Sequence, residues 1–457
     1  MNRVSASGSR LFLTLAVGAL VSGCVLRPAG LDDERGRLAE SAQAFERPLP
    51  QRSLPELPTQ PQWEDVLHRA FLANGELEAA YFQWKAALER VDVAGTYPNV
   101  NVEVGFEYMF SSQRMKSWDR LTVRGQLDRL MLPLKVSREA RMALTMAQAA
   151  GARFEAAKFS LQRDVLVAWH NYTLLGERIR IAQDNVNLLK LISETAAARV
   201  RAGASQQDLL KAQIESELAV NELRNMEAEA PQMRAMLNAM LGRQPETPLQ
   251  PPPQPASRPV PDDRRILEAG VRANPELAAL ELEVRAGQDA LELARMRFLP
   301  DVSPMAAFTG GASQMIGAMV MLPTALPAIR GAIREARAQL HRLEAVSRQS
   351  NLDTAATFVA TLYAMRNSER QIALFEHTVL PMAEQVFANS RQAYASGAVG
   401  FIELIDSQRT LLEVKLMIAE ARAAREIALA RLEALAGVDI ETLGDASSID
   451  EARSDGE

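Results

Sequence analysis

The hydrophobic positions of this chain change period several times, and each change marks an element. Between residues 63 and 95, Val66, Leu67, Phe71, Leu77, Tyr81, Trp84, Leu88 and Val91 recur at helical spacing, and Gly95 and Pro98 end the run. Residues 99–110 then alternate strictly. Val100, Val102, Val104, Phe106, Tyr108 and Phe110 fall on one face, and Asn99, Asn101, Glu103, Gly105, Glu107 and Met109 fall on the other. After a polar turn, Leu121, Val123, Leu127 and Met131 alternate with Arg120, Arg124, Gln126 and Asp128. Each run has about the length of a tilted strand crossing a bilayer. A surface hairpin packed on a helix fits the same pattern.

Helical composition dominates from Val136 to Arg201 without a proline, which predicts a rod of about 100 Å. A second helix is expected over 206–241. A proline-rich stretch at 243–262 then reads as an extended linker. The same order follows: a helix over 263–298, a hairpin over about 301–322, a long helix over 329–395 interrupted by Pro381, and a helix over 403–436. The hairpin alternates poorly, turns at Thr309-Gly310-Gly311 and carries Pro304, so its first strand is expected to be bent or the sheet reduced. The last helix shows a seam of Leu411, Val414, Ile418, Ala421, Ala428, Leu432 and Leu435, with Arg425 as its one intruder.

This order is a duplication. PQWEDVLHRAFLANGELEA at 61–79 aligns with PDDRRILEAGVRANPELAA at 261–279, pairing Pro61 with Pro261, Leu67 with Leu267 and Asn74 with Asn274. So long a period excludes a solenoid and indicates one domain-scale unit used twice. The repeats are expected at 61–242, with a hairpin at about 99–132, and at 263–437.

Aromatic residues make up only 5% of the chain, which suits closely packed helices better than a globular core. The net charge of −6 and the lack of a basic stripe argue against nucleic acid as a partner. The single cysteine, Cys24, excludes an internal disulfide and a cysteine-based metal site. Arg3 and Arg10 precede a short apolar run, Leu11–Val21, in the manner of a secretory signal over 1–23. Val21-Ser22-Gly23-Cys24 resembles a bacterial lipobox, with Cys24 the acylated residue. Val25, in place of aspartate, resembles the outer-membrane sorting pattern. Residues 24–60 then read as a polar tether or a segment lying along the body, and 438–457 as an acidic flexible tail.

The element order resembles that of the TolC-like outer membrane efflux proteins. LANGELEAA and RANPELAAL are similar to the family's helix openings. Arg201-Ala202-Gly203-Ala204-Ser205-Gln206-Gln207-Asp208-Leu209-Leu210 and Tyr394-Ala395-Ser396-Gly397 with Glu403-Leu404-Ile405-Asp406 resemble its two glycine turns, and Leu380-Pro381 its proline ahead of the second turn. The resemblance spans about 60–437. It implies a fold that is mainly α with a small β part: long coiled-coil hairpins forming a trimeric α-barrel, and two β-hairpins per chain joining a shared twelve-stranded outer-membrane β-barrel. It implies a homotrimer, lipid-anchored in the outer membrane and extending into the periplasm. Its partners would be a periplasmic adaptor and an inner-membrane transporter, and it would act as an exit duct. It also places Gly203 and Gly397 at the periplasmic tip, makes Tyr394 a gate contact, and matches Glu403, Asp406 and Asp208 to an acidic constriction. Where the family carries a basic residue two positions after the second glycine, this chain has Val399.

No catalytic constellation is legible, and no cofactor beyond the lipid on Cys24 is expected. His68, His170, His341 and His377 lie apart, without zinc-site spacing. Met305, Met315, Met319 and Met321 cluster in the second hairpin, as lipid-facing or core filler or as a copper path. The exit duct of a secretion system and a non-conducting periplasmic scaffold are the competing functions.

Overall fold

The structure is a computed structural model that describes residues 26–42, 44–58, 61–96, 100–106, 121–127, 133–254, 257–258, 260–270, 273–309 and 313–440. The expected leader, Cys24, Tyr108 and Phe110, the Gly310-Gly311 turn and the tail beyond 440 lie outside the described residues. The helices are α1 (Leu31–Ala42), α2 (Trp63–Ala73), α3 (Gly75–Gly95), α4 (Pro133–Arg201), α5 (Gln206–Met240), α6 (Asp263–Gly270), α7 (Pro275–Arg295), α8 (Leu326–Leu374), α9 (Leu380–Ser396) and α10 (Phe401–Ala436). The strands are β1 (Val100–Phe106), β2 (Leu121–Leu127), β3 (Asp301–Thr309) and β4 (Ser313–Met321). The chain divides into two compact units. Among the described residues, one holds those of 26–42, 81–153 and 277–350, and the other holds those of 44–80, 154–276 and 351–440.

In the first unit the strands form one antiparallel sheet in the order β1-β2-β3-β4. The pairings Val104↔Val123, Val123↔Phe308, Ala306↔Ile316 and Val302↔Val320 put the valines, isoleucine and phenylalanines of both hairpins on one face. That face is open: Val102, Val104 and Phe106 are more than 60% exposed, and Ile316 is 88% exposed. The opposite face is polar. Arg124 meets Glu103 at 3.6 Å, and the Thr122 and Thr309 hydroxyls share a hydrogen bond of 3.2 Å. The small side chains Ser303 and Ala307 are buried there. Exposed apolar and partly covered polar faces are the reverse of a water-soluble sheet.

The second hairpin corrects the expectation of a bent or reduced sheet. β3 and β4 pair without interruption from Asp301↔Met321 to Thr309↔Ser313. Pro304 is accommodated because the β2–β3 register stops at Gln126↔Met305, one residue short of it. The alternation was hidden because methionine and glycine occupy the polar-face positions of β4.

Of the two readings of the segment after the leader, residues 31–42 follow the one that lies along the body, folded as α1. Leu31, Leu38 and Ala42 share a buried stripe. Buried Glu34 accepts a hydrogen bond from Trp84 Nε1 at 2.8 Å and pairs with Arg37 at 3.0 Å. At the sheet end of α4, buried Lys135 donates to Asp301 at 2.7 Å and to the Leu299 carbonyl at 2.9 Å. Arg138 then ties α4 to Asp289 and Glu292 of α7.

In the second unit long helices pack through apolar seams. Leu411, Val414, Ile418, Ala421, Ala428 and Leu432 are buried as the heptad predicts. Between α8 and α9 a π-helical turn spans Phe375–Val379. Pro381, in the first turn of α9, supplies no N–H to the carbonyl four residues back, and the widened turn absorbs the mismatch. The proline-rich linker is fastened down rather than free. Tyr172 Oη donates to the Leu249 carbonyl at 2.7 Å, and Asn238 Nδ2 donates to the carbonyls of Pro245 and Thr247.

Arg425, the intruder in the seam, is the reason the linker continues along α10. It is buried and donates to the Arg258 carbonyl at 2.6 Å and to Glu369 at 3.0 Å, and it also pairs with Glu426. Arg258 in turn reaches Glu426 and Glu433 and lies over the Trp63 ring. Buried charges persist only when compensated in this way. Removing Arg258 leaves two buried carboxylates short of a cation. Arg258→Ala is expected to destabilise the folded protein by about 3–5 kcal/mol, read as a lower denaturant midpoint in detergent. An unchanged midpoint would show that the network contributes nothing.

Candidate functional site

The two repeats end their first long helices in the same way. After α4 the Ala204 amide donates to the Arg199 carbonyl at 2.9 Å, and after α9 the Ala398 amide donates to the Ala393 carbonyl at 2.8 Å. Both are six-to-one closures that need a left-handed residue just past the helix. Gly203, with φ 96°, and Gly397, with φ 80°, supply it. Ser205 caps the next helix by accepting from the Gln207 amide at 3.2 Å.

Equivalent positions around the turns have diverged, and the divergence builds a contact set. Tyr394 sits at the end of an apolar cluster that includes Ile192, Ala196, Ala212, Phe387, Phe401 and Leu404, and its side chain is fully buried. Its ring meets Phe401 edge-on, with centroids 6.0 Å apart. The Arg199 guanidinium lies over the other side of the ring, 4.2 Å from its centroid. The phenol donates to Asp208 Oδ2 across a long 3.5 Å. Burial, and then the Asp208 carboxylate, push the phenol above its ordinary range against the pull of Arg199. Tyr394 therefore stays a neutral donor at neutral pH.

Sequence reasoning placed Tyr394 here and missed Arg199. A cation in the last turn of a helix is common, since the macrodipole favours it, so nothing in the local pattern singles this one out. Arg199 puts a positive charge beside Tyr394, where Val399 leaves none and instead packs against the apolar cluster. Asp208, expected in an acidic constriction with Glu403 and Asp406, lies within hydrogen-bond reach of the Tyr394 hydroxyl.

Glu403 and Asp406 are both exposed, one turn apart on α10. Asp406 also lines a groove of about 290 Å³ with Lys211, Ile214, Glu215, Ile402 and Arg409. Arg409 is held by Glu215 at 2.5 Å, and its guanidinium pKa is raised by that carboxylate, with a smaller contribution from Asp406. The acidic pair thus faces open space, and of the two cations lining the groove Arg409 is engaged by Glu215.

The histidines form no site. Burial, reinforced by Arg258, lowers His170 from 6.5 to about 4, so it is neutral at pH 7. His341 is exposed beside Glu344. Among the described residues, no group of His, Cys, Asp or Glu could hold a metal ion, and no helix is long and apolar enough to cross a membrane.

If the Arg199 stack holds the turn, Arg199→Ala should speed amide exchange at Gly397 and Ala398 by about fivefold, equivalent to about 1 kcal/mol for a cation–π contact from a half-buried guanidinium. Hydrogen exchange by mass spectrometry measures this, and an unchanged rate would mean that packing alone fixes the ring.

Residues 271–438 match the family described as outer membrane efflux protein. The chain is 26% identical over 281 residues to the cobalt-zinc-cadmium resistance protein CzcC of Cupriavidus metallidurans, covering 56% of this chain and 62% of that one. It is 27% identical over 271 residues to protein CyaE of Bordetella pertussis, covering 55% and 56%. The matches therefore span about three-fifths of the length of these relatives. The outer membrane protein VceC of Vibrio cholerae has a similar fold, with a TM-score of 0.71 at 17% identity over 83% of this chain and 97% of that one.

Proposed function

We propose, from the premise that the chain belongs to the outer membrane efflux protein family, that it is the exit duct of a tripartite efflux system. The observation that carries this reading is the two-faced sheet. Its apolar face is exposed, its polar face holds the Glu103–Arg124 pair, and β1 and β4 are each paired on one side only among the described residues. Such a sheet suits an outward surface in lipid and an inward surface in water. Open edges are not tolerated in hydrocarbon, so strands from further copies must complete it. Three copies, as the family resemblance implies, would close a twelve-stranded barrel.

In this reading the Gly203 and Gly397 turns form the end met by an adaptor and an inner-membrane pump, and Arg199, Tyr394 and Asp208 hold that end narrow. Glu403 and Asp406, repeated by symmetry, would ring the opening with carboxylates and favour cations. The duct has no catalytic role, and the pump supplies the energy. Small molecules or ions are the cargo, and a relative named for cobalt, zinc and cadmium resistance supports ions among them. Cys24 would carry the lipid anchor. A non-conducting scaffold rested on a weak second hairpin, and the full β3–β4 pairing removes that support.

The purified lipoprotein is expected to run as a trimer by native mass spectrometry and to give discrete conductance steps in a planar bilayer. A stable monomer that passes no ions would overturn the reading. In the same recordings Asp406→Ala should weaken cation preference, and unchanged selectivity would remove Asp406 from the constriction.

A further inference from the structure

The second hairpin carries a chemistry that a passive duct leaves unused. The strand register puts Met305, Met315, Met319 and Met321 on the polar face of the sheet, with Arg124, Gln126 and Asp301. Side chains that needed only lipid belong on the opposite face, where Ile316 and Val320 are exposed. Hydrophobic burial therefore does not account for this row.

The register also brings the methionines together. Met305 lies opposite Gly317, so its diagonal neighbours on β4 are Met315 and Met319. Such diagonals are about 7–8 Å apart, within reach of long side chains. The absent side chain at Gly317 opens the way: a Cβ there would lie 3.6 Å from Met305 Cγ. Met305 thus leans across β4 between the two. Met315, Met319 and Met321 remain 48%, 48% and 51% exposed, so their side chains are open to a ligand.

We propose that Met305, Met315 and Met319, extended by Met321, form a thioether site for a soft monovalent cation of the Cu(I) or Ag(I) class. Thioethers are uncharged, soft donors that select such ions over hard or borderline divalent ones. The nearby carboxylates are already engaged, Glu103 with Arg124 and Asp301 with Lys135, so the donor set is effectively neutral. Neutral donors bind without a proton to displace and release without one, which suits an ion in transit. The binding is a local property of the sheet; only the transit rests on the duct reading.

The test uses the full-length lipoprotein in detergent and Ag(I), which needs no reductant. Wild type is compared with the Met305→Leu, Met319→Leu double variant by equilibrium dialysis, with X-ray absorption at the silver edge. The volume-conserving change should cost little stability. The expected result is a loss of Ag(I) affinity of about tenfold or more, fewer sulfur neighbours around silver, and equal Zn(II) uptake by both proteins. Equal Ag(I) affinity, or an unchanged sulfur shell, would overturn the site. If the double variant fails to assemble, Met319→Leu alone, at a half-exposed position, decides by the same measurements. Conductance separates the two readings: loss of channel steps in the wild type sinks the duct, whereas equal silver binding by the conducting variant sinks only the site.

Discussion

Unpaired backbone groups at the edges of a sheet are the constraint on which the rest of this structure depends. In water an edge N–H or carbonyl finds a partner in solvent. In hydrocarbon each one left unmade costs several kcal/mol. The sheet exposes its valine, isoleucine and phenylalanine side chains, and among the described residues its pairing ends at β1 and β4. Neither property suits an isolated chain in water, and both are satisfied when further strands extend the sheet within a membrane. The duplication fits the same demand, because each repeat contributes one hairpin and β2 pairs with β3 across the two repeats.

Among the helices, buried charge does the locating. Apolar seams bring helices together but tolerate sliding. An arginine inside a seam does not, because its guanidinium must find acceptors at fixed places. Arg425 finds them in Glu369, Glu426 and the Arg258 carbonyl, and Arg258 adds Glu433. Such a network contributes little net stability beside a well-packed apolar alternative, but a shifted register would leave its charges stranded. We read it as the device that fixes the linker against α10, at the point where one repeat gives way to the next.

The turns show how a duplicated unit acquires a site. Their backbones remain alike, down to the glycine and the closing hydrogen bond. Their side chains do not. The first turn supplies Arg199 and Asp208, and the second supplies Tyr394, while the equivalent positions hold Ala393, Ile402 and Val200. One turn alone has the bend, and only the pair has the contacts. Charge at this apex is therefore set by residues from both copies, which is why the valine at position 399 does not leave the tyrosine without a cation.

The sequence by itself determined the elements and their repetition. Period decides helix or strand locally: the strict alternation at 100–106, the heptad of α10 and the two glycine turns each carry their own signal. It did not disclose α1, because a short apolar stripe is lost among prolines and charges. It signalled the second hairpin, but not the full length of its pairing, because methionine and glycine blur the contrast between the faces of β4. Tertiary structure alone decided which side chains meet. Arg199 beside Tyr394, Asp208 at its hydroxyl, and Met305 leaning over Gly317 are contacts between residues far apart in the chain. No local pattern encodes them, because their distances are fixed only when separate elements pack and the strand register is chosen.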